Sequence, residues 1–288
     1  MQHCWLKFAL NLKVKTMNKK VILITGASSG MGKETAKTLI QQGHIVYTVA
    51  RRIDQMQDLK NMGGHPMSMD VTQEEDIHHV VETIMKNECR IDVLSNNAGY
   101  GLYGSVEDVP VDEARKQFEV NLFGLAAITQ KVLLHMRKAN SGTIINTSSM
   151  GGKMYTPMGA WYHASKHAVE GFSDCLRLEL KQFNINVVVL EPGIIITEFG
   201  AVMLDNINKF SSKGAYASLT QKLVVATKKM YEKGQGSKTS VISTTVAKII
   251  NTNHPKTRYR VGLWAKPMVW MRIYLGDRLF DKIVMSQV

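Results

Sequence analysis

Two residues with complementary acid–base chemistry, Tyr162 and Lys166, stand four positions apart in the run W-Y-H-A-S-K. Side chains at this spacing project from the same face of a helix, so the phenol and the ammonium are expected to lie close together. A free tyrosine has a pKa near ~10, and a neighbouring cation stabilises its phenolate. The pair could therefore act as a general acid and base. By itself, however, the spacing is also common on exposed helices.

A glycine-rich run, T-G-A-S-S-G-M-G, places Gly26, Gly30 and Gly32 between a strand-like segment and a helical one. Glycines at this place permit a tight turn and let the backbone approach a phosphate closely. The free N–H groups and the positive dipole end of the following helix favour a pyrophosphate. Although its GxxxGxG spacing differs from the commoner GxGxxG, the run predicts a dinucleotide-binding site.

The type of cofactor is predicted from the end of the second strand candidate, where Arg51 and Arg52 follow Ala50. An acidic residue here would bind the hydroxyls of the adenosine ribose, whereas a cation accommodates a 2′-phosphate. The nearest acid in the following segment, Asp54, comes several residues later. We therefore expect NADP(H) to be preferred over NAD(H), the alternative being that the arginines only face solvent.

The segments around these motifs alternate between strand-like and helical patterns. Strand candidates cover residues 21–25, 45–50, 66–69, 93–96, 143–147, 187–190 and 258–261. Helix candidates cover residues 33–42, 73–87, 111–138 and 160–183. Strands rich in Val and Ile suit a sheet that is buried on both faces. The alternation predicts a single α/β domain with a doubly wound, Rossmann-type parallel sheet and helices on both faces.

The two ends of the chain differ from this alternating body. Residues 1–16 are basic and partly apolar, and we expect an N-terminal extension outside a domain that spans residues 17–288. From about residue 194 the periodicity weakens, which indicates a segment for substrate or subunit contacts. Residues 264–284 mix large apolar side chains with Lys and Arg. A packed C-terminal helix or subunit contact is the favoured interpretation, and attachment to a membrane surface is the alternative.

Charge and cysteine content restrict the partners. Residues 206–288 hold 15 basic and 3 acidic side chains, an excess that could attract nucleic acid, anionic lipid or a phosphate-bearing substrate. A solvated lysine-rich surface is the preferred interpretation, and no nucleic-acid partner is expected.

The three cysteines form no CxxC pattern, which argues against a zinc site and a disulfide framework and is compatible with a reducing cytosol. We expect a cytoplasmic protein with no metal site.

The order of the motifs along the chain is more informative than any one of them. T-G-A-S-S-G-M-G, N-N-A-G at 96–99, Asn121, the pair Ser148 and Ser149, Y-x-x-x-K and P-G at 192–193 follow one another. In this combination, over roughly residues 18–200, the chain resembles the short-chain dehydrogenase/reductase family. Longer runs such as N-N-A-G-Y-G-L-Y-G-S-V-E-D resemble a branch related to 17β-hydroxysteroid dehydrogenase type 1 and retinol-type reductases, without establishing a steroid substrate.

The resemblance implies roles for individual residues. Tyr162 is the expected proton donor in reduction and acceptor in oxidation, and Lys166 is expected to hold the nicotinamide ribose and to lower the pKa of the tyrosine. Ser149, 13 residues before Tyr162, would bind the substrate oxygen, and Asn121 would hold a water in the proton relay. The implied cofactor contacts are Gly26, Ser28, Ser29, Gly30, Met31, Gly32, Arg51, Asp70, Val71, Asn97, Ala98, Gly99, Tyr162, Lys166, Pro192, Gly193 and Thr197.

The predicted function is hydride transfer between NADP(H) and the carbonyl or alcohol of an apolar small molecule. The alternative is a dinucleotide-binding regulatory protein without turnover. Candidate pocket residues are apolar or aromatic, which fits an adaptable pocket and equally a packed core. They are Leu102, Tyr103, Met150, Met154, Tyr155, Met158, Phe199 and Met203. The family resemblance also implies a homodimer or homotetramer.

Overall fold

The computed structural model describes residues 19–286, so the predicted extension at residues 1–16 lies outside the described residues. Seven parallel strands form one sheet in the order β3-β2-β1-β4-β5-β6-β7. The strands are β1 Val21–Thr25, β2 Ile45–Ala50, β3 His65–Ser68, β4 Val93–Asn96, β5 Gly142–Thr147, β6 Ile185–Pro192 and β7 Arg258–Val261. This arrangement confirms the predicted fold class.

Helices cover both faces of the sheet. Those before the Y-x-x-x-K motif are α1 Gly30–Gln41, α2 Gln57–Asn61, α3 Glu74–Glu88, α4 Val111–Phe118 and α5 Leu125–Lys138. Those from the motif onward are α6 Ala160–Leu180, α7 Phe199–Ser211, α8 Ala217–Glu232, α9 Ser240–Ile250, α10 Ala265–Tyr274 and α11 Asp277–Met285. Among residues 19–286, no helix is both long and apolar enough to cross a bilayer.

The core lies in two layers, one on each side of the sheet. In β1, Val21 and Leu23 join the layer that contains α3 and α5, while Ile22 and Ile24 join the layer that contains α1 and α9. Successive strand residues point to opposite faces, so a strand that is covered twice must be apolar at every position. All five residues of β1 are buried, and the first four of them are apolar.

The strand order reverses beside β1, which lies between β2 and β4. In open α/β sheets a ligand binds at this reversal, outside the carboxyl ends of the strands. The residues predicted to contact cofactor and substrate follow the carboxyl ends of β1 to β6 or lie on the helix after β5 and the long helical stretch after β4. The topology therefore gathers distant sequence motifs at one edge of the sheet.

Two helix predictions need correction. The stretch 111–138 is not one α-helix, because a π-helical turn, Glu119–Gly124, separates α4 from α5. At the end of this turn a Cβ on Gly124 would lie 2.6 Å from the Val71 carbonyl oxygen, so the turn packs directly against the chain after β3. The segment 264–284 forms two helices, since Gly276 adopts φ of 72° between α10 and α11. A left-handed glycine ends a helix at low cost.

Candidate active site

The glycine-rich loop joins β1 to α1, and its glycines are required by close backbone contacts. Gly26 has φ of 68°, and a Cβ on it would lie 2.7 Å from Ala98 Cα. A Cβ on Gly32 would lie 2.4 Å from Asn97 Nδ2 and 2.5 Å from Gly26 O. Added side chains would clash with the chain after β4 and with the loop itself, so these two glycines are required by the tight packing of the loop. Gly30 begins α1, three residues earlier than predicted, and so presents the helix N-terminus to the loop.

Asn97 and Ala98, which follow β4, hold the loop in shape. Asn97 Nδ2 donates hydrogen bonds to the carbonyl oxygens of Thr25 at 3.1 Å and Gly26 at 3.2 Å. The main-chain N–H groups of Asn97 and Ala98 both donate to Thr25 Oγ1 at 3.0 Å. Thr25 was not predicted as a site residue, because nothing in the sequence shows that its hydroxyl joins two strand ends. These hydrogen bonds between the end of β1 and the chain after β4 hold the glycine-rich loop in place.

Two arginines after β2 lie at the edge of this loop. Arg51 is largely exposed, and its Nη1 atom is 4.0 Å from Asp70 Oδ2. Arg52 Nη2 lies 3.4 Å from Ser28 Oγ and 3.5 Å from Ser29 Oγ. The sequence analysis assigned the cofactor contact to Arg51, but the structure brings Arg52 closer to the loop.

Asp70 and Val71, which follow β3, lie beside the same edge. The main-chain N–H and the hydroxyl of Thr72 donate to Asp70 Oδ1 at 3.0 Å and 2.8 Å, which orients the carboxylate. Val71 is buried against the π-helical turn. Both residues are therefore held in fixed positions near the carboxyl ends of β1 and β2.

The residues after β6 divide into two groups. A Cβ on Gly193 would lie 2.1 Å from Leu263 O, so this glycine, which follows Pro192 at the end of β6, is required by close packing against the chain after β7. Thr197 lies over the glycine-rich loop, with its Cγ2 atom 3.4 Å from where a Cβ on Gly30 would be. The structure thus places Thr197 at the predicted cofactor site and gives Gly193 a packing role.

Asn121 lies in the π-helical turn and is buried. Its Nδ2 atom donates to Tyr100 O and to Ser165 Oγ, each at 3.0 Å, and its Oδ1 atom accepts from Tyr100 N at 3.0 Å. Both side-chain N–H donors are therefore used by the protein. Asn121 joins the chain after β4 to the catalytic helix α6, and π-helical turns are frequent at functional sites.

Tyr162 and Ser149 come together at the carboxyl end of β5. Tyr162 lies in the first turn of α6, and the Ser149 side chain lies beside its hydroxyl. Ser149 adopts an extended conformation with φ of −168°, and its Oγ atom accepts a hydrogen bond from Gly151 N at 3.0 Å. The strand end and the helix start thus place two hydroxyls where both can reach one substrate oxygen.

Lys166 is buried one turn after Tyr162 on α6. Its Nζ atom donates to Thr147 O at 2.8 Å. A Cβ on Gly99 would lie 3.6 Å from the same Nζ atom and 2.9 Å from Asn121 Oδ1. Gly99 therefore lets the chain after β4 pass closely between the lysine and the asparagine.

Burial controls the titration of the pair. It raises the pKa of Tyr162 to about 12, and the hydrogen bond with Ser149 acts in the opposite direction. It also lowers the pKa of Lys166 to about 8, against the attraction of the Glu170 carboxylate. The lowered tyrosine pKa expected from the resemblance is not seen in this structure, in which the lysine ammonium is directed to Thr147. At neutral pH the phenol is protonated and able to donate.

His163, next to the tyrosine, is a residue that the sequence analysis did not single out. Its Nδ1 atom lies 2.9 Å from Gly151 O, and Thr156 N donates to its Nε2 atom at 3.1 Å. Because a main-chain N–H can only donate, Nε2 accepts and Nδ1 carries the proton, so the imidazole is neutral. Burial lowers the pKa of His163 to about 4. The ring thereby ties the segment after Ser149 to α6.

His163 is expected to make the protein sensitive to acid. Its folded-state pKa lies below the ordinary 6.5, so the folded state favours the neutral ring. The resulting stability is present above pH 6.5 and is lost as pH falls through 4, a difference of about 3 kcal/mol. Urea unfolding of wild type and His163→Gln between these pH values should show a shallower loss in the variant. His167→Gln, exposed on the same helix, is the control, and parallel curves for wild type and His163→Gln would contradict the assignment.

An apolar cluster surrounds Tyr162. The ring centroid of Tyr162 lies 5.5 Å from that of Tyr103 and 5.3 Å from that of Phe199. The other members come from the loop before α6 and from α7, the turn after it and α8: Met158, Met203, Ile207, Tyr216, Leu219, Leu223 and Val224. The two helices after residue 194, which the sequence predicted only weakly, thus form one side of the site.

Half of the predicted pocket residues lie elsewhere. Leu102 packs with Val109 and Ala114 in a separate cluster. Three others pack against the C-terminal helices rather than around Tyr162: Met150, Met154 and Tyr155. A methionine-rich sequence cannot distinguish core from pocket, because the same flexible side chain fills both.

Comparison with known proteins identifies the family. The chain matches the family model described as short chain dehydrogenase over residues 20–208. It is 38% identical over 265 residues to a 3-ketodihydrosphingosine reductase of Bacteroides thetaiotaomicron, an alignment that covers 88% of this chain and 94% of that protein.

Solved structures agree with this result. A short-chain dehydrogenase from Streptomyces avermitilis superimposes with a TM-score of 0.77 at 28% identity, over 94% of this chain and 97% of that one. A variant of actinorhodin polyketide ketoreductase, solved with NADPH, gives a TM-score of 0.71 at 28% identity, over 85% and 96% of the chains. The chain therefore belongs to the short-chain dehydrogenase/reductase family and is a nicotinamide-dependent oxidoreductase.

Proposed function

We propose that this protein uses NADPH to reduce the carbonyl group of an apolar small molecule, with Tyr162 as the proton donor. The observation that carries the proposal is the position of Tyr162, a buried phenol beside Ser149 with Lys166 one turn further along α6. A protonated phenol can donate to a carbonyl oxygen without prior activation. The Bacteroides thetaiotaomicron relative is named as a 3-ketodihydrosphingosine reductase, and this name supports reduction of a keto group.

The proposed roles follow from the positions of the side chains. Ser149 and Tyr162 hold the substrate oxygen, and the phenol transfers its proton to that oxygen as negative charge develops. The nicotinamide, when bound, supplies the hydride. Lys166 would hold the nicotinamide ribose with its ammonium group, which in this structure donates to the Thr147 carbonyl oxygen. Asn121 keeps the chain after β4 in register with α6 and so fixes this geometry.

NADP(H) rather than NAD(H) is proposed from the edge of the glycine-rich loop. Arg51 and Arg52 follow β2, where an acidic residue would otherwise bind the ribose hydroxyls. Arg52 already lies beside Ser28 and Ser29, and Arg51 is largely exposed and able to turn. Charge-assisted hydrogen bonds from both guanidinium groups would hold a 2′-phosphate.

An apolar substrate is proposed from the cluster around Tyr162. The side chains of Tyr103, Phe199 and Met203 surround the phenol. The groups attached to a substrate carbonyl that reaches the phenol would therefore contact apolar side chains and should themselves be apolar. The other finer assignments stay predictions: the 17β-hydroxysteroid dehydrogenase-like branch, a homodimer or homotetramer, and a cytoplasmic location.

NADPH oxidation against a series of ketones tests this proposal. We expect kcat/KM to rise by about fourfold for each methylene that an aliphatic ketone adds within the pocket, because each buried methylene contributes ~0.8 kcal/mol. Small polar ketones of matched reactivity serve as the control series. Equal rates for both series would contradict the apolar assignment. NADPH binding without oxidation by any carbonyl would instead favour the regulatory alternative.

A further inference from the structure

The outward face of α10 carries large apolar side chains that the fold leaves exposed. Trp270 is 55% exposed, Ile273 is 54% exposed and Tyr274 is 69% exposed. The Trp270 and Tyr274 rings are in contact, with 5.6 Å between their centroids. Lys266, one turn before Trp270, lies on the same exposed face. We call these four residues the C-terminal patch.

The patch cannot turn inward, because the opposite side of the two C-terminal helices is already packed. Ala265 and Val269 of α10 are fully buried. On α11, Phe280 and Val284 are buried against Met154. The sequence analysis favoured a packed C-terminal helix, and these contacts provide one, but the aromatic residues of the patch take no part in the packing.

Positive charge accompanies the patch and is not neutralised within residues 19–286. Arg278 and Lys282 are exposed on α11, which follows α10 directly. The two acids of α11 already have partners, since Asp277 pairs with Arg272 at 2.8 Å and Asp281 accepts a hydrogen bond from Tyr155 at 2.9 Å. The two C-terminal helices therefore combine exposed aromatic rings with Lys266, Arg278 and Lys282, which form no ion pair within residues 19–286.

We propose that the C-terminal patch binds the surface of a membrane that contains anionic lipids. Trp and Tyr favour the boundary between headgroups and acyl chains, and lysine and arginine are attracted to anionic headgroups. An isologous contact with a second copy of the chain fits less well, because two-fold symmetry would bring together two surfaces that each carry an excess of basic side chains.

Membrane contact at this place would lie next to the catalytic chemistry. Helix α10 packs against residues 150–152, which directly follow Ser149. Tyr155, in the loop that leads to Tyr162, stacks edge-on against Phe280 of α11 at 5.2 Å between ring centroids. The patch and the candidate active site are thus connected through one short segment, residues 150–155.

Vesicle flotation of the full chain tests the proposal. The probes are vesicles of phosphatidylcholine alone and of phosphatidylcholine mixed with phosphatidylglycerol, at low and high salt. The variant is Lys266→Glu with Trp270→Ser. The control is Val225→Ser with Lys229→Glu, a pair at the same four-residue spacing on the exposed side of α8. Thermal unfolding verifies that both variants fold, since exposed substitutions change stability little.

The expected result is binding of wild type to anionic vesicles at low salt, loss of binding at high salt, and at least about tenfold weaker partitioning of the patch variant. The control variant should bind like wild type. Absence of binding to anionic vesicles at low salt would overturn the proposal. Equal binding by the patch variant and wild type would place the contact elsewhere on the chain. A change of oligomeric state in the patch variant, measured by sedimentation, would show instead that the patch is a subunit interface.

Discussion

Replacing Tyr162 with phenylalanine is expected to lower kcat by roughly 10²–10⁴-fold, the range typical for loss of a positioned general acid. The aromatic ring stays packed between Tyr103 and Phe199, so the fold and the apolar cluster should persist. Only the hydroxyl beside Ser149 is lost, and with it the proton that neutralises the developing oxyanion. The dissociation constant for NADPH should change little, because the glycine-rich loop and Lys166 are untouched. Steady-state NADPH oxidation together with a fluorescence titration of NADPH measures both quantities.

Tyr103→Phe is the matched control for this experiment. Tyr103 is also a buried tyrosine of the same cluster, and burial raises the pKa of its hydroxyl well above the usual value. Its hydroxyl interacts with the Thr156 side chain and not with Ser149. Loss of this hydroxyl should lower kcat by less than about tenfold, the cost of one ordinary hydrogen bond. Turnover by Tyr162→Phe at the level of the Tyr103→Phe control would refute the assignment of Tyr162 as proton donor.

The double variant Arg51→Ala with Arg52→Ala is expected to raise KM for NADPH by at least about 100-fold, since a hydrogen bond to a charged group contributes about 1.5–3 kcal/mol. KM for NADH should stay within about threefold of wild type, because NADH has no 2′-phosphate for either guanidinium group. The cofactor preference would therefore reverse or disappear. Initial rates with each cofactor at a fixed concentration of one ketone provide the measurement.

The two single variants show which arginine carries the effect. Arg52 lies 3.4 Å from Ser28 Oγ, whereas Arg51 lies 4.0 Å from the carboxylate of Asp70, so Arg52→Ala should be the more damaging. Arg115→Ala, an exposed arginine paired with Asp112 on α4, serves as the control. An equal loss of affinity for NADH and NADPH in the double variant would mean that the arginines hold the loop rather than the 2′-phosphate.

The fold was predictable from local pattern because a doubly covered parallel strand leaves a clear signal. Strand β1 is apolar at its first four positions, most of β6 is apolar too, and the segments between the strands show helical spacing. The interruptions were harder to predict. The π-helical turn at Glu119–Gly124 depends on close packing against Val71, a contact between distant parts of the chain.

The candidate site was also predictable only in part from the sequence. Residue types and their order identified Tyr162, Lys166, Ser149 and the glycine-rich loop as one chemical system, because each motif follows a strand end that the topology brings to the same edge. The contacts between the motifs could not be predicted from residue types and their order. That Arg52 approaches Ser28, and that the ring of His163 ties residues 151–156 to α6, follows only from how the folded chain places groups far apart in sequence.

The sequence by itself determined the fold class, the family and the reaction type, since these depend on hydrophobic periodicity and on the order of short motifs. The tertiary structure decided the burial of Tyr162, which raises its pKa, because that burial depends on side chains brought in from α7 and α8. It also decided which methionines are core and which surround the site. Finally, it left Trp270 and Tyr274 exposed on α10, because the opposite face of that helix is the one that packs against the core.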